Sequence, residues 1–187
     1  MLNIAAFALR GFLVLFGAVV LGLSITLAKG QEVGKPPTET SFSSFCGAFG
    51  ILVSAIGIIA IFVDKIPPTA IMGADALASV FYLAGGIALT VALKDVSSCT
   101  SHSAIARGER VGNKLLNGGC LTKDGGLWCY AGSGPGKDEV DDYTPGRCQR
   151  VQADYVFQYL AFAFGIAIIA TTFFLRRSGS NRSRAFV

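Results

Sequence analysis

Charge is what this chain lacks most. Only 15% of its 187 residues are Asp, Glu, Lys or Arg, where a soluble domain carries about a quarter. That shortage argues against an ordinary water-facing surface. Histidine occurs once, at His102, in a polar loop, and no Ser/His/Asp set or metal-ligand spacing stands out around it. No C-x-x-C pair and no phosphate-binding glycine loop occurs. These gaps point away from catalysis. The expectation is a protein that is not an enzyme, with no catalytic residue, cofactor, metal or nucleic-acid partner, and His102 reads as a solvated loop residue.

What fills the chain instead is apolar: 52% of residues are hydrophobic and the mean hydropathy is +0.55. Charge-free runs cover 11–28, 40–63, 66–74, 76–93 and 155–175. A helix needs roughly 20 mostly apolar residues to cross the hydrocarbon of a bilayer. The runs predict an all-α membrane protein, a bundle of four transmembrane helices at about 4–28, 43–63, 69–93 and 154–175. Four buried helices in a soluble fold would leave too little chain to cover them. The first run reads as a retained helix and not a cleaved leader, because it is long and Arg10 sits inside it.

The connections are unequal. Residues 29–42 form a short polar loop with Gly34, Pro36 and Pro37, and 64–68 form a turn in which Pro67 and Pro68 stop one helix and open the next. Residues 94–153 form one large loop. The last stretch, RRSGSNRSRAFV, reads as a basic, flexible tail over 176–187. No repeat or second core is apparent, so 1–187 reads as one domain. Arg176, Arg177, Arg182 and Arg184 follow directly on a crossing, and positive charge close to a helix end tends to stay cytoplasmic. Both termini are then expected inside and the large loop outside, although the loop carries eight Lys and Arg of its own. In that orientation the Asn181 glycosylation acceptor would be unused.

The cysteines give a second vote. Four of the five, Cys99, Cys120, Cys129 and Cys148, lie in the large loop, and an even number in an exposed loop suggests disulfides made in an oxidising compartment. The segment CLTKDGGLWC carries Asp124-Gly125, a strong two-residue hairpin turn. Counting outward pairs Lys123 with Gly126, Thr122 with Leu127, Leu121 with Trp128 and Cys120 with Cys129. The cysteines fall at a non-hydrogen-bonded position, where Cα atoms approach to about 4.5 Å, within disulfide reach. Cys99 and Cys148 remain, and a bond between them would tie the feet of the loop. Cys46 reads as a buried small hydrophobe, and Trp128 as a possible protein contact beside a rigid staple.

Two ionisable residues fall inside crossings: Arg10 and Asp75. They sit at similar depth in helices one and three, and a mutual ion pair would lower the cost of burial in lipid. The rival arrangement has Arg10 snorkelling to the interface. On this reading there is no second buried acid and no histidine to continue a proton or ion path. Small-residue pairs at four-residue spacing, Ala18/Gly22, Gly50/Ser54, Ala74/Ala78 and Ala161/Gly165, mark faces where helices can approach.

LRGFLVLF around Arg10, MGADALASVFYLAGG around Asp75, VSSC at the exit of helix three and GRCQRVQADYVFQYLAF entering helix four together resemble the fungal MARVEL-domain tetraspans. The likeness is strongest to the non-classical export protein 2 family, associated with eisosomes. It covers the four helices and the Cys99/Cys148 pair; residues 106–145 look like an insertion. The Gly126-Leu127-Trp128 triplet matches a claudin motif but lies between the wrong helices. The resemblance implies a plasma-membrane organiser that oligomerises or gathers lipids such as sphingolipid or sterol. The alternative is a small-molecule or ion transporter using Arg10 and Asp75.

Overall fold

A computed structural model describes residues 2–62, 67–123, 126–131 and 143–184 of the chain. Its frame is four long helices: α1 (Leu2–Lys29), α2 (Thr38–Phe62), α3 (Pro68–Ala92) and α5 (Thr144–Arg184). Each contains a stretch long and apolar enough to cross a membrane. Between α3 and α5 stand a short helix, α4 (Ala104–Gly112), and a hairpin of two four-residue strands, β1 (Cys120–Lys123) and β2 (Gly126–Cys129). Helix α1 packs against α2 and α5, and α3 packs against the same two. This is a four-helix membrane bundle with a disulfide-stapled loop that contains a hairpin.

Local chemistry accounts for the helix starts. Pro68 opens α3, where a missing N–H is harmless and the fixed φ suits the helix. Ser103 caps α4 by accepting from the Ala106 amide at 3.2 Å. Helix α2 starts at Thr38, five residues before the expected position, directly after Pro37, whose carbonyl takes the Ser41 amide at 3.1 Å.

The fourth long helix differs most from expectation. It begins at Thr144, ten residues before the expected 154, and its backbone stays helical to Arg184. The loop is accordingly 93–143, and the expected tail at 176–187 is helical up to Arg184. The early start follows the inward stripe Thr144, Cys148, Val151, Asp154 and Gln158, all buried; this is a helical period in a stretch too polar for a hydropathy run. At the far end no proline interrupts α5, and an established helix adds residues at one hydrogen bond each.

Outward from the bundle the helices show large apolar side chains such as Phe12, Leu15, Leu52, Ile59, Val80 and Ile166, as a lipid-facing surface requires. Inside are two apolar clusters. One, around Leu13, Phe16, Val20, Tyr82, Ala161 and Ile168, fills the middle of the bundle. The other, around Leu27, Leu89, Leu93, Leu115, Leu116 and Val151, joins the helix ends to the large loop.

Candidate functional site

Four-helix bundles in lipid have no hydrophobic drive between helices, so polar contacts and close backbones hold them together. Arg10 of α1 donates to both carboxylate oxygens of Asp75 of α3, Nη1 to Oδ1 at 3.1 Å and Nη2 to Oδ2 at 2.8 Å. Their side chains are only 4% and 2% exposed. Arg10 therefore turns inward, and does not snorkel. The two-pronged contact uses the planar fork of the guanidinium.

One turn along α3, Ser79 returns its hydroxyl to the Asp75 carbonyl at 2.7 Å. Next comes Tyr82, whose hydroxyl is buried with no hydrogen-bond partner among the described residues. Asp75, Ser79 and Tyr82 line a cavity of about 10 Å³ with Ser54, Gly50 and Gly165, about the least space that holds one water.

A second polar cluster lies towards the loop end. Asp154 of α5 is fully buried, as are Ser24, Ser43 and Gln158. Ser24 Oγ lies 2.7 Å from Asp154 Oδ2 and 2.7 Å from Ser43 Oγ. Ser43 Oγ lies 2.9 Å and 3.0 Å from the two carboxylate oxygens. Gln158 Nε2 reaches Ser43 Oγ at 2.8 Å and Asp154 Oδ1 at 3.1 Å. The expectation of no second buried acid is thus overturned. Asp154 stood at the edge of a charge-free run, and the early start of α5 carries it ten residues into the helix.

Glycines make the room. A Cβ at Gly57 would collide with the Arg10 guanidinium, at Gly50 with the Tyr82 phenol, at Gly85 with the Gln158 amide and at Gly165 with the Ser79 hydroxyl. Each of these four side chains therefore lies over a glycine of a neighbouring helix. Of the small-residue pairs, Gly50/Ser54 and Ala161/Gly165 line the interior cavity. Ala18 and Gly22 instead point outward.

The loop is built onto the bundle by two further arginines. Arg147 is 5% exposed and donates to the Gly30 carbonyl at 2.5 Å and the Leu115 carbonyl at 3.0 Å, with Leu27 at 3.4 Å. It thereby caps the C-terminal end of α1, where a cation meets the negative end of the helix dipole. Arg110 of α4 is 1% exposed and donates to Thr144 Oγ1, and to the Ser98 and Ser101 carbonyls, at 2.9 to 3.0 Å. Asn113 Nδ2 donates to the Ala92 carbonyl at the end of α3 at 2.7 Å. The short loop joins in: Gly118 accepts from the Glu32 and Val33 amides at 2.9 and 3.1 Å, and Glu39 meets Lys114 at 2.6 Å.

Two disulfides close this head. Cys99 is bonded to Cys148 with Cα atoms 5.4 Å apart, and Cys120 to Cys129 with Cα atoms 3.9 Å apart. The strand register pairs Cys120 with Cys129, Leu121 with Trp128, Thr122 with Leu127 and Lys123 with Gly126. The Asp124-Gly125 turn and the side chain of Trp128 lie outside the described residues. Cys46 is free and buried, its thiol 3.3 Å from the Phe81 carbonyl. At the head surface, the Ser97 hydroxyl and amide hold the Glu109 carboxyl below its usual range. Burial pushes the Tyr143 hydroxyl up to about 12.

A family model described as MARVEL, membrane-associating domain, matches residues 3–171. The chain belongs to the MARVEL family. No curated protein and no solved structure matches the chain. The MARVEL match takes in the first three apolar spans, the fourth as far as residue 171, the loop head and both polar clusters. Membrane association is thereby the family's described property, and the four apolar helices give it a multi-pass form.

Proposed function

We propose that this protein is a plasma-membrane organiser, a tetraspan of the eisosome-associated non-classical export protein 2 type. It self-associates or gathers lipids, sphingolipid or sterol among them, into a lateral compartment. It performs no catalysis and holds no cofactor. Both termini face the cytoplasm, and the stapled head stands outside the cell.

The observation that carries this reading is the membrane-associating MARVEL match over residues 3–171. The use of the buried polar groups supports it: Arg10, Asp75, Asp154, Arg147 and Arg110 bond to other parts of the chain, as groups that hold a bundle together do. A disulfide-closed head suits an oxidising exterior. The test is subunit counting of the purified full chain in lipid vesicles over a range of densities. Assemblies larger than a dimer support the proposal; a monomer at every density contradicts it.

Transport is the second reading, favoured by one observation. Asp154 adds a second acid to the core, and Ser79, Tyr82 and a water-sized cavity lie on the side of the Arg10–Asp75 pair that leads toward it. Flux in vesicles with Asp75→Asn separates the two readings. Lost flux with unchanged folding favours transport, and lost folding favours a structural pair.

A further inference from the structure

The Asp154 cluster contains more short contacts than an ionised aspartate can supply with protons. Five residue pairs are in contact: Ser24 with Ser43, Ser24 with Asp154, Ser43 with Asp154 (its one hydroxyl lies within reach of both carboxylate oxygens and counts once), Gln158 with Ser43, and Gln158 with Asp154. Each hydroxyl carries one proton and the amide nitrogen two. Two serines and one glutamine therefore bring four protons to five contacts. With an ionised carboxylate, one contact is left as oxygen facing oxygen with nothing between. If both hydroxyls turn to the carboxylate, that contact is Ser24 to Ser43, at 2.7 Å.

A fifth proton, on Asp154 Oδ2, completes the set. Oδ2–H then donates to Ser24 Oγ, Ser24 to Ser43 Oγ, and Ser43 to Asp154 Oδ1, closing a ring. The two amide hydrogens of Gln158 go to Ser43 Oγ and Asp154 Oδ1. No oxygen in this arrangement accepts more than two hydrogens, which matches its lone pairs.

The surroundings agree. The partners of the carboxyl are two hydroxyls and an amide, none of them a cation. Arg147, two turns earlier on α5, is committed to carbonyls of α1 and the loop. The nearby Cys46 thiol lies on the Phe81 carbonyl. A bare negative charge buried here would cost several kcal/mol or more. Among the described residues no group of three or more His, Cys, Asp or Glu side chains is gathered for a metal ion, and this cluster offers a hard cation a single carboxylate.

We propose that Asp154 is a proton-binding site: a neutral carboxylic acid that closes a cyclic hydrogen-bond ring with Ser24 and Ser43 and joins α1, α2 and α5. The inference is independent of whether the protein organises membrane or transports a solute.

Infrared spectroscopy of the full chain in lipid vesicles at neutral pH tests it, with ¹³C-labelled aspartate to mark aspartate bands. The expected result is a protonated-aspartate carbonyl band that is lost in Asp154→Asn and retained in Asp75→Asn. The Asn variant keeps the pattern, since its amide donates to Ser24 and its oxygen accepts from Ser43 and Gln158. Ser43→Ala should move the band upward without removing it, because a donor to the carbonyl is gone. A spectrum with no protonated-aspartate band overturns the proposal, as does a band that survives Asp154→Asn. If Asp154→Asn fails to fold, the Ser43→Ala variant decides: an unmoved band places the proton elsewhere and overturns the proposal.

Discussion

Replacing Arg10 by Met, Asp75 by Leu, and both together gives a double-mutant cycle on the deepest ion pair of the bundle. The geometry sets the sizes. The fork contact has prongs of 2.8 and 3.1 Å, which puts the charge centres about 4 Å apart and their attraction on the order of 4 kcal/mol at an effective dielectric constant of 20. Removing the charges from water costs several kcal/mol per ion, so desolvation of the two ions exceeds their attraction and the intact pair contributes little net stability. Either single variant leaves a buried charge unmatched and should lose about 3 to 5 kcal/mol. The double variant should lose about 2 kcal/mol or less, because it buries no charge and roughly keeps volume. The coupling is then on the order of 4 kcal/mol or more. Unfolding in lipid bicelles, followed by steric trapping or by titration with denaturing detergent, reads each corner of the cycle. Additive single losses would refute the reasoning, since they would mean that the two groups do not share a contact in the membrane.

Four further outcomes follow from other contacts. Gly57→Ala puts a methyl group against the Arg10 fork and should cost about 1 to 3 kcal/mol, a cost that should largely vanish when Arg10 is already Met; the same bicelle unfolding measures both. Arg147→Met leaves carbonyls of α1 and the loop without donors and should lose about 2 to 3 kcal/mol, with faster amide exchange at the end of α1. Removing Cys99–Cys148, with a sequence separation of 49, should destabilise more than removing Cys120–Cys129, with a separation of 9; loop-closure entropy gives about 4 against 3 kcal/mol, checked by unfolding of the two double-serine variants. Glu109 should titrate below an ordinary glutamate because Ser97 holds its ionised form. Its depressed value adds stability that is present above the unfolded carboxylate range and lost as pH falls through the folded value, and carboxyl NMR of Ser97→Ala should show the titration moving back up.

The bundle could be read from residues because lipid allows little else: runs free of charge must be helices. The hairpin register could be read because Asp124-Gly125 fixes the centre of the count. What escaped reading was polar and long-range. Residues 144–153 looked like loop because Arg147, Gln149, Arg150 and Gln152 spoil any hydropathy run, although Thr144, Cys148 and Val151 kept a helical period on the buried side. Asp154 was mistaken for the edge of a crossing for the same reason. Helix α4 is nine residues long with two glycines, and it stands because Arg110 is bonded from three directions. The seating of the short loop on Gly118 is a backbone pairing between residues 85 positions apart, and it leaves no trace in side-chain pattern.

The central claim is that four helices thread the bilayer and hold a disulfide-closed head on its outer side. The most direct measurement is thiol labelling of intact cells with a membrane-impermeant maleimide, before and after reduction, read out by peptide mass spectrometry. The account predicts no label on Cys99, Cys120, Cys129 or Cys148 until an impermeant reductant is added outside, and then label on all four. Free thiols at these positions that react only after the plasma membrane is opened would contradict it.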